Sequence, residues 1–195
     1  MRLRGLYAVT PETADFPDRL RLALEGGAAL VQYRRKQRDP AAAKQALELA
    51  RRHGVPLIVN DDVELALEIG ADGAHLGRGD GDLAVARKRL AGKILGASCY
   101  DDLERARAAV RAGADYVAFG SVFPSPTKPG AVRAPLALFG EARSLGVPLC
   151  AIGGVRLDNA RQAIDAGADL LAVISDLFDA RDVRLRAQHY GRLFA

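Results

Sequence analysis

Eight short apolar runs recur along the chain, and stretches with helical periodicity separate them. The runs lie within residues 6–9, 26–32, 55–59, 70–77, 93–98, 113–120, 147–154 and 167–174. Between two of them, residues 40–54 place Ala43, Ala46 and Ala50 on one side, as an amphipathic helix does. Apolar strands that are each followed by a helix indicate a parallel sheet covered by helices.

A repeat within the chain sharpens this prediction. Gly-Ala pairs begin at residues 27, 70, 113 and 167, each just before an apolar run. Eight strand–helix units in 195 residues favour a single (β/α)₈ barrel that spans residues 1–195. An open doubly wound sheet is the alternative, but the even repeat and the lack of a G-x-G-x-x-G turn argue against it.

Helix caps follow from the polar residues at the starts of the periodic stretches. Asp62 and Asp82 are predicted to cap helices rather than to bind ligands, and Asp101 is predicted to cap the helix over 101–113. His75 lies within a strand pattern and is interpreted as a hydrogen-bonded core residue.

Composition and charge narrow the functional class. Hydrophobic residues make up 49% and charged residues 27% of the chain, as in ordinary globular proteins. The net charge is +4, but the basic residues are scattered and aromatic residues are few, so we expect no nucleic-acid partner. Small anionic substrates fit this charge better.

Targeting and redox features are sparse. Cys99 and Cys150 form no C-x-x-C pair and are expected to be buried free thiols. The first apolar run is too short for a signal peptide, and no stretch is long enough to span a membrane. We therefore expect a cytoplasmic protein with no membrane partner. The oligomeric state is left open, with a homodimer as one option.

Polar side chains follow the predicted strands, where a (β/α)₈ barrel carries its active site. Alternation after the second strand puts Gln32, Arg34 and Lys36 on one side and Tyr33 and Arg35 on the other. The later strands are followed by Asn60 and Asp61, by His75 and Asp80, by Ser98, by a proline-rich loop with Lys128, by Gly153 and Gly154, and by Ser175.

The chemistry of this rim points to two anion sites. Arg34, Lys36 and Lys128 would converge on a multiply charged anion. Carboxylates beside that anion would repel it unless a cation lay between them, and Mg²⁺ is commonly held by one or two carboxylates and phosphate oxygens. Backbone N–H groups after the seventh and eighth strands would suit a monophosphate.

Together these motifs resemble the thiamine-phosphate synthase family. The resemblance rests on QYRRK (32–36), ND (60–61), HLGRGD (75–80), GASCY (96–100), SPTK (125–128), AIGG (151–154) and VIS (173–175). It implies a (β/α)₈ barrel that joins a hydroxymethylpyrimidine diphosphate to a thiazole phosphate, giving thiamine phosphate and pyrophosphate.

The resemblance also implies a role for each matching residue. The contacts to the pyrimidine diphosphate would be Gln32, Arg34, Lys36, Asn60, Ser98 and Lys128. Tyr33 and Arg35 would also belong to the substrate-binding residues. Arg34, Lys36, Ser98 and Lys128 would assist the reaction, and Asp61 and Asp80 would bind Mg²⁺. The thiazole phosphate would be held by Ser125, Pro126, Thr127, Gly154, Ile174 and Ser175.

Three positions depart from the family pattern. Arg78 stands where glutamine is frequent, Ser125 where threonine is frequent, and Asp176 where a small residue is usual. A carboxylate at 176 would oppose a phosphate unless it points away. Two alternatives stay open: a related thiazole tautomerase, against which Asp61 and Asp80 argue, and a non-catalytic sensor of phosphate ligands.

Overall fold

Eight parallel strands close into a barrel in chain order. The computed structural model describes residues 3–124 and 132–195. The strands are β1 (Gly5–Val9), β2 (Leu30–Tyr33), β3 (Leu57–Asn60), β4 (Gly73–Leu76), β5 (Ile94–Tyr100), β6 (Tyr116–Phe119), β7 (Leu149–Ile152) and β8 (Leu170–Val173). Strand β1 pairs with β8, with Tyr7 opposite Ala172, which closes the ring. The predicted (β/α)₈ barrel is confirmed.

Helices follow the strands and cover the outside of the barrel. They are α1 (Phe16–Glu25), α2 (Pro40–Arg52), α3 (Val63–Ile69), α4 (Leu83–Arg89), α5 (Leu103–Arg111), α6 (Ala137–Ala142), α7 (Leu157–Ala166), α8 (Ser175–Phe178) and α9 (Val183–Arg192). A 3₁₀ turn, Arg143–Leu145, follows α6. None of the described helices is long and apolar enough to cross a membrane.

Aspartate caps begin several of these helices. Asp62 accepts the backbone N–H of Leu65 at 2.8 Å, and Asp82 accepts that of Val85 at 2.9 Å, so both predicted caps are confirmed. The cap predicted at Asp101 is wrong by one residue. Asp102 caps α5 instead, because the Asp102 N–H bonds to Cys99 O at 2.9 Å and leaves Asp101 inside a turn.

Both faces of the strands are buried. Outward-facing side chains pack against small residues of the helices, and Ala43, Ala46 and Ala50 of α2 are fully buried in this layer, as predicted. Cys99 and Cys150 are buried free thiols, and burial raises the pKa of Cys99 to about 12. The inward-facing side chains form a second core that includes Tyr7, Leu30, Ile58, Tyr116, Cys150 and Leu170.

The repeated Gly-Ala segments end one helix and start the next strand. Gly70, Gly113 and Gly167 have φ angles of 72°, 94° and 121°, in the region that favours glycine. The chain therefore leaves the helix sharply, and the following alanine is buried in the layer between barrel and helices.

The aspartate after each of these three Gly-Ala pairs fastens the amino-terminal end of the barrel. Its side chain accepts an N–H near the start of the preceding strand, and its own N–H donates to the C=O of that same residue. The side-chain bonds join Asp72 to Leu57 (2.8 Å), Asp115 to Leu95 (2.7 Å) and Asp169 to Leu149 (3.1 Å). The copy at residue 27 has Ala29 at this position and keeps only the backbone bond, to Leu6 O at 2.8 Å.

Removing one of these aspartate side chains should destabilise the fold. Asp72→Ala leaves the Leu57 N–H without its acceptor, so we expect the free energy of unfolding to fall by about 1–2 kcal/mol. Urea denaturation measures the change. Asp101→Ala, which removes an exposed aspartate, should stay within about 0.5 kcal/mol of the parent protein. Equal stability of the two variants would contradict a stabilising role of the Asp72 hydrogen bond.

Candidate active site

The end of β2 contributes cations to the carboxyl-terminal rim of the barrel. Gln32 is buried and points into the barrel interior, where its amide donates to Tyr7. The Arg34 backbone N–H donates to the Thr10 hydroxyl at 3.0 Å, and the Arg34 guanidinium lies close enough to Asp61 to attract its carboxylate. Lys36 is largely exposed, with its amine 3.9 Å from the Glu12 carboxylate.

The side chains of Tyr33 and Arg35 lie on the opposite side of β2. The Tyr33 ring packs edge-on against Phe16, and its hydroxyl donates to Asp39 O at 3.1 Å. The Arg35 guanidinium carbon lies 4.6 Å from the centre of the same Phe16 ring. These two side chains therefore lie on the side of the helical layer, as the alternation predicts, and their contacts to a substrate stay predictions.

Asp61 stands at the end of β3 in an unusual backbone conformation. Its φ angle is 64°, which aspartate and asparagine tolerate better than most residues. Its backbone N–H donates to His75 O at 2.8 Å, and its carboxylate accepts the Asn60 amide at 2.7 Å. The turn thus aims Asp61 at the rim, while the neighbouring Asp62 turns back to cap α3.

Asp80 faces Asp61 from the loop after β4. One Asp80 oxygen accepts the Gly77 N–H at 2.7 Å, which fixes the loop. Partial burial of the Asp61 carboxyl and, next, its contact with Asp80 raise the pKa of Asp61 to about 6. A divalent cation between the two carboxylates would relieve this repulsion, so the donor set fits Mg²⁺.

Tyr100 supports the loop that carries Asp80. Its hydroxyl accepts the Arg78 N–H at 3.1 Å, and its ring lies under the Arg78 guanidinium at 4.9 Å. Arg105 lies near the same ring, at 5.7 Å, and donates to Ser98 O at 2.8 Å. The unusual Arg78 is therefore exposed but held over an aromatic ring beside the two carboxylates.

The barrel interior holds a chain of polar side chains that the sequence patterns did not predict. Hydrogen bonds of 2.7–2.9 Å link, in order, Gln32, Tyr7, Tyr116, His75 and Ser98. Burial lowers the pKa of His75 to about 4, so its imidazole is neutral at neutral pH. The prediction of His75 as a hydrogen-bonded core residue is confirmed. The residues at the two ends of this hydrogen-bonded series, Gln32 and Ser98, are both predicted substrate contacts.

The opposite side of the rim is formed after β6, β7 and β8. Ser125, Pro126, Thr127 and Lys128 lie outside the described residues, so their roles stay predictions. The segment before them is anchored to β7, because Val122 N–H bonds to Ile152 O and Phe123 N–H to Gly153 O, both at 3.0 Å.

The backbone at the ends of β7 and β8 has the features that the predicted monophosphate site requires. Gly153 and Gly154 have φ angles of 94° and 66°, and α8 begins at Ser175 directly after Ile174. The first N–H groups of a helix have no carbonyl partner within it. Strands β7 and β8 are hydrogen-bonded neighbours, so these groups share one sector of the rim.

Asp176 points away from this sector. Its carboxylate accepts the Arg186 guanidinium at 2.8 Å and the Tyr190 hydroxyl at 2.7 Å, both from α9. The Asp176 carboxylate, which departs from the family pattern, is therefore neutralised by Arg186 of α9. It does not oppose an anion at Ser175.

Comparison with known proteins assigns the family. The family model described as thiamine monophosphate synthase matches residues 6–177. The chain belongs to the thiamine monophosphate synthase family. Within the family, it is 58% identical to a thiamine-phosphate synthase of Aromatoleum aromaticum, across 99% of this chain and 97% of that protein. It is 56% identical to one of Chromobacterium violaceum, across 96% and 94%.

A solved structure in the same family agrees with the fold. The thiamine phosphate pyrophosphorylase of Pyrococcus furiosus is 34% identical, with a TM-score of 0.88 across 98% of this chain and 96% of that chain. The recognition of the family from the strand-end motifs is thereby confirmed.

Replacing Gly154, at the rim of the barrel, is expected to destabilise the protein. A Cβ at this position would lie 2.6 Å from Phe123 O and would also overlap Pro124 O, at a φ that disfavours alanine. Gly154→Ala should therefore lower the free energy of unfolding by at least about 1 kcal/mol.

The control is Gly140→Ala in α6, where nothing lies within 4 Å of the added Cβ. Alanine in a helix should raise stability by roughly 0.5–1 kcal/mol. Thermal unfolding of both variants measures the difference. Unchanged stability of Gly154→Ala would contradict the close approach of Gly154 to the carbonyl groups of Phe123 and Pro124.

Proposed function

We propose that the chain joins 4-amino-2-methyl-5-(diphosphooxymethyl)pyrimidine to a thiazole phosphate, giving thiamine phosphate and pyrophosphate, with Mg²⁺ as the required cation. Family membership and relatives above 55% identity that carry the name thiamine-phosphate synthase support this activity.

The observation that carries the proposal is the pair of carboxylates beside a cation. Asp61 and Asp80 lie within contact of each other, and Arg34 lies near Asp61. Two carboxylates would repel an anionic substrate, whereas a diphosphate that shares a divalent cation with them would be attracted. A protein that bound only one monophosphate, at β7 and β8, would have no use for this second group of charges.

The leaving group needs its developing charge stabilised. Mg²⁺ bound at Asp61 and Asp80 would neutralise negative charge on the departing diphosphate. Arg34 can direct its planar guanidinium at phosphate oxygens, and Lys36 can move to them because its 3.9 Å pair with Glu12 is weak and exposed. Lys128 would add a third charge from the loop after β6.

The bond changes then require positioning rather than a protein base. The C–O bond between the methylene carbon and the diphosphate breaks, and the electron-rich aminopyrimidine stabilises the positive charge on that carbon. The thiazole nitrogen forms the new C–N bond. Gln32, Asn60 and Ser98 would orient the pyrimidine diphosphate against this nitrogen, so that the gain comes from proximity and electrostatics.

The thiazole phosphate would bind on the other side of the rim. Gly154, Ile174 and Ser175 supply backbone N–H groups and a hydroxyl at the ends of β7 and β8. Ser125, Pro126 and Thr127, which the family resemblance assigns to the same phosphate, would add to this site. The two anion sites would then hold the substrates on opposite sides of the reacting carbon.

The purified protein should form thiamine phosphate and pyrophosphate from both heterocycles with Mg²⁺ and form neither with EDTA. Chromatography of the reaction mixture measures both products. Isomerisation of a thiazole carboxylate phosphate without synthesis would instead identify a tautomerase. Binding of a phosphate ligand without any turnover would identify a sensor.

Asparagine substitutions should separate the metal ligands from the neighbouring cap. Asp61→Asn keeps a side chain that tolerates the φ of 64°, and both it and Asp80→Asn remove one ligand charge. Each should raise the Mg²⁺ concentration needed for half-maximal activity by about tenfold or more.

The matched control is Asp62→Asn, because asparagine also caps helices and can accept the Leu65 N–H. Its Mg²⁺ requirement should stay at the parent value. A larger shift in Asp62→Asn than in Asp61→Asn would move the ligand assignment to the cap.

A further inference from the structure

A continuous line of hydrogen bonds crosses the barrel interior, where branched apolar residues usually fill the space. The Gln32 amide donates to the Tyr7 hydroxyl at 2.8 Å, and the Tyr7 and Tyr116 hydroxyls lie 2.7 Å apart. His75 then contacts the Tyr116 hydroxyl through Nδ1 at 2.9 Å and the Ser98 Oγ through Nε2 at 2.8 Å. Only Ser98, at the rim, is partly exposed.

The donors in this line can be ordered from one end. The Tyr7 oxygen accepts a hydrogen bond from the Gln32 amide, and the Tyr7 hydroxyl then donates to its neighbour, the Tyr116 oxygen. The Tyr116 hydroxyl in turn donates its hydrogen bond to His75 Nδ1. A neutral imidazole that accepts at Nδ1 carries its proton on Nε2 and donates it to Ser98 Oγ.

The reverse order leaves a buried donor without a partner. If Ser98 donated to His75 Nε2, the Nδ1–H group would donate to the Tyr116 oxygen. The Tyr116 hydroxyl would then donate to the Tyr7 oxygen. Tyr7 would then accept twice, from Gln32 and Tyr116, and its own proton would have no acceptor among its described hydrogen-bond partners. Tyr7 is 1% exposed, so water would not replace the missing partner, and a buried unpaired donor is costly.

Gly96 makes room for this arrangement. The Tyr116 phenol lies directly over Gly96 of β5, and an added Cβ would overlap the ring and its hydroxyl. The Tyr7 and Tyr116 rings meet edge-on, with centroids 5.9 Å apart, so both hydroxyls are held in the centre of the barrel. The packing of the interior thus fixes the geometry of the line.

We propose that Tyr7, Tyr116 and His75 are positioning residues that set the direction in which the Ser98 hydroxyl donates its proton. With Oγ occupied as an acceptor from His75 Nε2, the Ser98 proton is free to point out of the line, toward the rim. There it can donate to a diphosphate oxygen, a role for Ser98 that rests on the proposed function. The hydrogen-bond direction itself rests on the buried geometry alone.

Nitrogen NMR of protein labelled with ¹⁵N-histidine tests the direction. The chain has three histidines, and His53→Gln with His189→Gln removes the signals of the two others. We expect His75 to show an unprotonated Nδ1 and a protonated Nε2 at neutral pH. A proton on Nδ1, in the other neutral form or in the imidazolium, would overturn the proposed order.

Tyr116→Phe tests whether the line acts through Ser98. The variant keeps the ring but removes the donor to Nδ1, so both neutral forms of His75 should become populated. We expect kcat to fall by about tenfold, the effect of one hydrogen bond to a charged group, with an unchanged KM for the thiazole phosphate. In a Ser98→Ala background, Tyr116→Phe should cause little further loss.

The matched control is Cys150→Ala, which removes an atom from the same interior core outside the hydrogen-bonded line. It should lower stability without changing the His75 NMR signals or kcat. Equal losses of kcat from Tyr116→Phe with and without Ser98 would overturn the positioning role. Lack of synthase activity in the parent protein would instead refute the proposed function, while the NMR result would still decide the hydrogen-bond direction.

Discussion

The pairing of β1 with β8 is the constraint on which the rest of the molecule depends. Once the ring closes with all strands parallel, every strand ends at the same rim, and residues far apart in the chain are brought together there. The aspartates of the Gly-Ala-Asp segments fasten the opposite end by holding the starts of neighbouring strands. The aspartate hydrogen bonds and the proposed active site therefore lie at opposite ends of the barrel.

The barrel interior connects these two functions. Its core is largely apolar, but the side chains of five strands are linked by hydrogen bonds within it, and Gly96 leaves the space that Tyr116 needs. A buried polar network that is fully satisfied restricts its members to one arrangement. The predicted substrate contacts Gln32 and Ser98 are therefore fixed by the core, whereas Lys36 on the exposed rim remains free to move.

The sequence predicts the barrel well because its features are local. Apolar runs, helix periodicity and the caps at Asp62 and Asp82 each depend on a few neighbouring residues. The Asp101 prediction failed because a turn begun at Cys99 shifts the cap by one residue. The interior line from Gln32 to Ser98 depends on strand register and on barrel closure, which no local pattern contains. The bonds from Asp176 to α9 likewise depend on tertiary packing.

Binding of the pyrimidine diphosphate in the absence of the second substrate tests the central claim most directly. The claim is that a divalent cation links this substrate to Asp61 and Asp80. Titration calorimetry should give an affinity at least about tenfold higher with Mg²⁺ than with EDTA, and Asp61→Asn should reduce that difference at the same Mg²⁺ concentration. Equal affinity with Mg²⁺ and with EDTA in the parent protein would contradict the account.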